Sequence, residues 1–382
     1  MSELKFKVIG SDLSEKGKLV LKGDISNIQS NIAFKIEDDH MVIVCYTAST
    51  YFQVKIPVFD VENPDSDWKI VEGGDLKTIL SVLPADDTVI EFDGNDMGTA
   101  FVIRYGRSKV NLRTMLGTTI RPETNFVHLA SVDAHSFLKS MNSILKVVKQ
   151  DNTGLAGPIG CLHIYLKPEE SNITLMGTNS IAIAENIYDV DEIERESVIL
   201  LKGTEANLLQ RNVSAGEVWQ IVRTASKFGF IDQEGSITLV GITDENPLNY
   251  VAFKSATAQP DSPEGYNEIL IDSGSMELAL RNAAKLSFNY PSVRLYFEKD
   301  GSAKLSTHNG DIFAVNAMYD IDKDLEIGVN IEALQSLFTL WTSRIKLLLK
   351  DNPVNSILEF EVLDEEDQLI DNIFIGFASD AE

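Results

Sequence analysis

The sequence predicts an α+β chain built from one unit repeated three times, and two recurring patterns carry that prediction. The first is a strand–helix–strand module from Trp68 to Phe92, WKIVEGGDLKTILSVLPADDTVIEF. Leu76, Ile79, Leu80 and Leu83 fall at i, i+3, i+4 and i+7, one apolar face of a short helix. The module returns from Leu325 to Leu349 as LEIGVNIEALQSLFTLWTSRIKLLL, with Leu334, Leu337, Phe338 and Trp341 at the same spacing. A drifted copy, VILLKGTEANLLQRNVSAGEVWQIV from Val198 to Val222, keeps Leu208 and Leu209 on its face. The period is about 129 residues, and internal repetition has to be settled before a fold is assigned.

The second pattern precedes each copy of the first. It reads IAFKIEDDHMVIVCYTASTYFQVKI from Ile32, LHIYLKPEESNITLMGTNSIAIAENI from Leu162 and VRLYFEKDGSAKLSTHNGDIFAVNAMY from Val293. Each is an alternating strand, a polar turn, a second strand, a threonine (Thr47, Thr178, Thr307) and a third strand.

A length of 382 residues fits three such units, and 44% hydrophobic residues suffice for ordinary cores. No apolar run reaches the roughly 18 residues of a membrane span. The start, MSELKFKVIG, is strand-like and lacks the pattern of a signal peptide. Cys45 and Cys161 stand inside strand-like runs at matching repeat positions, which predicts buried thiols in a reducing, cytoplasmic setting, with no disulfide or metal role. The net charge of −25 argues against a general nucleic-acid coat protein but leaves room for a basic patch on one face.

Along the chain, Leu4 to Ile9 predicts a strand, and residues 11–24, interrupted by Gly17, a short or irregular helix with basic Lys16, Lys18 and Lys22. Val58 to Asp67 reads as an acidic loop, and Asp75 as the cap of the helix after Gly73. Val110 and Leu112 alternate with Lys109, Asn111 and Arg113, a strand with one wet face. Residues 132–149 give the strongest helix, with Asp133 as N-cap and Phe137, Met141, Ile144 and Val148 inward. Its opposite side carries His135, Lys139, Asn142, Lys146 and Lys149, a basic stripe in a chain where acids outnumber bases 58 to 33. In the third unit Met276, Leu280, Ala283 and Leu286 oppose Glu277, Arg281 and Lys285, and residues 256–265 read as a linker.

Chemistry leaves no trace in the motifs. The five histidines lack metal-ligand spacing, and nucleophile elbows, phosphate loops and dinucleotide fingerprints are all missing from the sequence. The favoured role is non-enzymatic, without a cofactor, catalytic residue or metal.

The repeats resemble the bacterial-type sliding clamp, the beta subunit of DNA polymerase III, over nearly the whole chain. The segment YGRSKVNLRTM, Tyr105 to Met115, is similar to the family's glycine-arginine-serine strand near the end of its first domain. DLKTILSVLPADDTVIEF and SVRLYFEKDGSAKLSTHN are similar to the helix and strand before it and to the opening hairpin of the third domain. Two segments depart. Thr178, Asn179, Ser180, Ile181, Ala182 and Ile183 stand where the family has threonine-aspartate-glycine-histidine-arginine-leucine, and the tail Phe377 to Glu382 replaces a Met/Pro/basic ending. The resemblance is to a divergent clamp, of cellular or viral origin.

What the resemblance implies is a DNA polymerase processivity factor. It implies three clamp-type domains, 1–124, 125–256 and 257–382, each with two helices packed on antiparallel sheets. Dimerisation closes them into a ring around duplex DNA, with DNA polymerase and a clamp loader as partners. A sliding contact needs Lys and Arg near phosphates without base readout. The residues for it are Lys139, Lys146 and Lys149, then Lys77, Lys202, Arg211, Arg281 and Lys285; each alone reads as a solvated charge, and the argument rests on the set. Ring closure would pair Ser108 to Arg113 with an edge strand near Lys304 to Thr307, with Leu286 against Val110 and Leu112 as interface residues; an inward strand face stays open for those two. A partner-peptide pocket would be walled by Pro158, Thr178, Ser180, Ile181, Ala182, Ile183, Phe374, Gly376 and Phe377, although any one of these also reads as core. On this reading residues 374–382 are dispensable for the ring. The alternatives are a three-domain scaffold and an acidic DNA mimic; the lysine stripe speaks against the mimic.

Overall fold

The structure, a computed structural model, describes residues 4–22, 31–63, 67–95, 99–117, 123, 125–148, 158–179, 182–211, 217–250, 266–286, 292–341, 343–350 and 357–376. Six α-helices lie among them: α1 (Gly10–Lys22), α2 (Gly73–Val82), α3 (Ala134–Leu145), α4 (Gly203–Arg211), α5 (Ser273–Leu286) and α6 (Ile331–Leu340). The element order repeats three times: a strand, a helix, a three-stranded meander, a strand, a second helix and a second meander. None of these helices is long and apolar enough to cross a membrane.

The helices form for the reasons their spacing gives. Leu76, Ile79, Leu80 and Leu83 of α2 are all buried, as are Leu334, Leu337, Phe338 and Trp341 at α6. Asp133 accepts from the backbone N of Ser136 at 2.8 Å and Asp272 from that of Ser275 at 2.7 Å, satisfying a free N–H at the starts of α3 and α5. Three expectations need correction. Residues 10–22 form a continuous helix, and Gly17 lies where a Cβ would meet Leu80 Cδ1 at 3.0 Å, so it lets α1 approach α2 closely. The loop after Val58 contains a strand, Phe59–Glu62, paired with Lys5–Ile9. Asp75 lies in the first turn of α2, which starts at Gly73, and is not its cap. The linker at 256–265 lies outside the described residues.

The chain divides into two compact units. Unit 1 comprises residues 1–138, 166–171 and 190–243. One of its sheets runs in the order Phe59–Glu62, Lys5–Ile9, Val89–Gly94, Ala100–Tyr105, Ser108–Arg113. A nine-stranded sheet runs Met115–Gly117, Trp68–Glu72, Asn31–Glu37, His40–Tyr46, Thr50–Pro57, Ile237–Gly241, Lys227–Asp232, Val218–Arg223, Val127–Asp133. A cluster of phenylalanines fills the core, with Phe6 stacked on Phe92 at 4.7 Å and edge-on to Phe101. Cys45 is buried in it, and desolvation pushes its thiol up to about 11; Cys161, in unit 2, is buried too.

Unit 2 comprises residues 139–165, 172–189 and 244–382. Its smaller sheet runs Ile312–Val315, Ala303–Thr307, Ser292–Phe297, Leu325–Asn330. In its larger sheet the strands follow the order Cys161–Lys167, Asn172–Thr178, Ala182–Asp189, Leu369–Gly376, Ile357–Leu363, Arg344–Lys350, Tyr266–Ile271, Ala317–Tyr319.

One feature of the pairing recurs. The last strand of the first meander in repeat 1, Thr50–Pro57, pairs antiparallel with the last strand of repeat 2, Ile237–Gly241. Its counterpart in repeat 2, Ala182–Asp189, pairs antiparallel with the last strand of repeat 3, Leu369–Gly376.

Candidate nucleic-acid interface and docking surfaces

The basic stripe lies on α3, whose apolar face is buried at Phe137, Met141 and Ile144 and whose other side exposes His135, Lys139 and Asn142, and continues to exposed Lys146 in the turn after it. Lys139 borders a cleft of about 1040 Å³ with Asp272, Arg344 and Glu365. Lys146 and Arg281 border a second cleft, of about 540 Å³, beside Asn179 and Gln335. Lys146 is engaged: its Nζ donates to the carbonyl of Leu340 at 2.9 Å and lies 5.2 Å from the centre of the Trp341 ring. Arg281 is exposed but paired along its helix with Glu277 at 2.5 Å. Lys285 is exposed near the end of α5. In unit 1, Lys202 and Arg211 are exposed at either end of α4. The side chain of Lys77 and the whole of Lys149 lie outside the described residues.

Ser108–Arg113 is one of the two outer strands of its sheet among the described residues, with Phe59–Glu62 at the other side. Its assigned interface residues Val110 and Leu112 turn toward the core side of the sheet. Leu112 is 1% exposed and belongs to the phenylalanine core, opposite Phe101, while Val110 packs partly buried against the same cluster. Alternation turns these two inward and leaves Ser108, Lys109, Asn111 and Arg113 outside. The facing strand is corrected. Ala303–Thr307 is paired on both sides, and Thr307 is buried. Lys304 is tied to Glu298 and lies over Tyr296. Among the described residues, the outer strands of that sheet are Ile312–Val315, whose Ile312 is 63% exposed, and Leu325–Asn330. Leu286 is 45% exposed at the end of α5.

The residues assigned to the peptide pocket gather in unit 2 mostly as sheet core. Ile183 stands opposite both Thr178 and Phe374, and Ala182 opposite Ile375. Thr178, Ala182 and Phe374 are buried in the sheet; Ile183 and Pro158 are half-buried. Thr178 Oγ1 donates to the carbonyl of Ala182 at 3.0 Å, and Pro158 accepts from the backbone of Cys161 and bonds His163 Nε2. Gly376 ends the last described strand, opposite Ile357. Ser180, Ile181 and Phe377 lie outside the described residues. A truncation starting at residue 374 would remove paired backbone from an interior strand.

No family model and no curated protein matches the chain. Solved structures do. The Pseudomonas aeruginosa DnaN sliding clamp, DNA polymerase III subunit beta, bound to griselimycin superposes with a TM-score of 0.76 at 16% identity, over 99% of this chain and 100% of that one. The Thermotoga maritima beta subunit gives 0.71 at 16% identity, and the Caulobacter crescentus beta sliding clamp 0.74 at 16%, each over 99% of this chain and all of the other. The chain has the sliding-clamp fold.

Within this clamp fold, sequence reasoning missed the edge strand Ile312–Val315, the cleft beside Lys139 and the anchoring of Lys146. The edge carried a signal: residues 312–315 are the third strand of their meander, the position that pairs with another repeat in both other repeats. The anchoring carried none, since Lys146 and Lys139 have the same helical surroundings in sequence.

Proposed function

We propose that this chain is a DNA sliding clamp of three domains, 1–124, 125–256 and 257–382. Two copies close head to tail into a ring around duplex DNA, and a clamp loader places it. In the cytoplasm it then tethers DNA polymerase at the primer end, without catalysis of its own.

The observation that carries this reading is what the repeat leaves over. Each meander's last strand in repeats 1 and 2 is met by the closing strand of the next repeat. In repeat 3 that strand, Ile312–Val315, is an outer strand, and so is the closing strand of repeat 1, Ser108–Arg113. An exposed edge is a template for pairing, and two complementary ones on a chain of repeats make a head-to-tail contact that closes when rotation permits.

The two internal joints also suggest a register. Tyr51 stands opposite Leu239, and Ile183 opposite Phe374. Within the meanders Tyr51, Ile183 and Ile312 are equivalent, facing Tyr46, Thr178 and Ser306. Within the closing hairpins Leu239, Phe374 and Asn111 are equivalent, facing Gly229, Glu359 and Val102. Ile312 therefore meets Asn111 of the partner subunit, and Phe313 meets the partner subunit's Val110.

Exposed Lys139 on α3, with Lys202, Arg211 and Lys285, supplies sequence-blind phosphate contacts. The test is the particle mass by light scattering together with a negative-stain image and primer extension on circular single-stranded DNA. A two-chain ring that lengthens the products of its polymerase supports the reading; a monomer at micromolar concentration that leaves extension unchanged contradicts it.

A further inference from the structure

Helix α3 is held at its C-terminal end by more than apolar contacts. Asp371, 1% exposed, sits where α3, the residue following α6 and strands Ala182–Asp189 and Leu369–Gly376 meet. Its Oδ2 accepts from Ser143 Oγ on α3 and, at 2.8 Å, from Trp341 Nε1. Its Oδ1 accepts from Asn186 Nδ2 at 3.1 Å, and Asn186 also donates to the carbonyl of Ile370 at 2.6 Å. Trp341 Nε1 lies 3.1 Å from Ser143 Oγ as well.

On the exposed side of this group lies Lys146. Its Nζ is over the face of the indole whose N–H points at Asp371, and it donates to the carbonyl of Leu340, the last residue of α6. A cation at a helix C-terminus is favourable twice, through the free carbonyl and through the helix dipole. A buried carboxylate is costly unless donors and a cation compensate it, and here three donors and Lys146 do so. Burial still holds the Asp371 carboxyl above the usual range, against the pull of Ser143, Trp341, Asn186 and Lys146. Gly177 completes the seat: a Cβ there would meet Val148 Cγ2 at 2.6 Å and Ile144 Cγ2 at 2.7 Å, so the end of α3 lies directly on strand Asn172–Thr178.

We propose that Asp371 is a positioning residue for the lysine-bearing face of α3, forming a latch with Ser143 and Trp341, and that Lys146 serves this latch instead of contacting nucleic acid. Only the second half rests on the clamp reading. The stripe then presents Lys139 to DNA, while Lys146 keeps the helix at the angle that presents it.

The test uses the full chain with Lys146→Met, Asp371→Asn and Lys139→Glu, and two readouts. The first, without DNA, is hydrogen exchange of the α3 amides. Lys146→Met and Asp371→Asn should each speed it by about tenfold, and Lys139→Glu should leave it alone. Should Asp371→Asn fail to fold, Ser143→Ala removes one donor and is read the same way. The second is the salt dependence of binding to a duplex oligonucleotide. Lys139→Glu should lower the slope by about one unit and Lys146→Met should leave it unchanged. A Lys146→Met protein with wild-type exchange and a slope lowered by about one unit would make Lys146 a phosphate contact and overturn the proposal. Wild-type exchange in Asp371→Asn would overturn the positioning role. A wild-type chain that binds no duplex sinks the DNA reading, and the exchange data still decide the latch.

Discussion

Leu112 sits opposite Phe101 on an outer strand, closed off by the phenylalanine cluster of unit 1. An outer strand of a sheet has a free backbone edge, but its side chains still alternate between core and solvent, so an edge position and a core position coincide in one residue. Leu112→Ala should therefore cost about 2–5 kcal/mol in urea unfolding of the isolated chain, as for other buried leucines. A change below about 0.5 kcal/mol, the range of surface substitutions, would return Leu112 to the interface. Asp371 makes a second prediction. Its folded pKa is raised, so the folded state binds the proton more tightly than the unfolded one. Its contribution to stability is fully present below the unfolded value of about 3.9 and is lost as pH rises through the folded value. Asp371→Asn should remove that component, so the difference in unfolding free energy between wild type and variant changes with pH just above the unfolded value and is flat below it. A difference that does not vary with pH would contradict the raised value. At this scale the sequence was legible where a residue's role follows from its periodic neighbours, as with Ile79, Leu337 or Asp133. It was silent on Asp371, whose partner Ser143 is 228 residues away along the chain.

The edge strands are the elements on which assembly turns. The pattern of Ser108–Arg113, one apolar side and one charged, predicts a strand with one wet face, and its place at an edge is what the resemblance to the clamp family implies. The same resemblance implies a mate near Lys304 to Thr307, yet Ala303–Thr307 is paired on both sides. Strand order within a sheet is non-local information: residues 312–315 read as the third strand of their meander, but that no strand of the same chain pairs beyond them in the described residues shows only in the fold. The helices were more legible, because a 3.6-residue period over ten to fourteen residues has few alternative readings. If the leftover edges pair, a lysine placed on one of them should block assembly, as natural edge strands use lysine to stay single. Ile312→Lys with Leu286→Lys changes two exposed side chains, 63% and 45% accessible, and should shift the unfolding free energy of the chain by no more than about 0.5 kcal/mol per site. The particle mass should fall to that of one chain. A two-chain mass in the double variant would mean that the copies meet elsewhere.

For the whole molecule, a net charge of −25 and a basic stripe have to be reconciled. A protein held on DNA by topology does not need strong attraction, and an acidic exterior keeps DNA from the wrong surface while a few lysines screen phosphates inside. Threefold repetition was visible from the start, because two unlike modules recur in one order, and the clamp fold followed from it; closure could not be read there, because it depends on which edges remain after the repeats have paired with one another. Closure is also the claim on which the functional account depends. It is tested most directly by placing cysteines at the two positions the internal register brings together, Asn111→Cys and Ile312→Cys, in one chain from which Cys45 and Cys161 have been replaced by serine or alanine. Oxidised after loading on primed circular DNA, this protein should run as a covalent two-chain species. It should stay on the circle through a high-salt wash and leave when the DNA is linearised. A chain that cross-links only within itself or not at all, or a covalent pair that washes off the intact circle, would contradict the account.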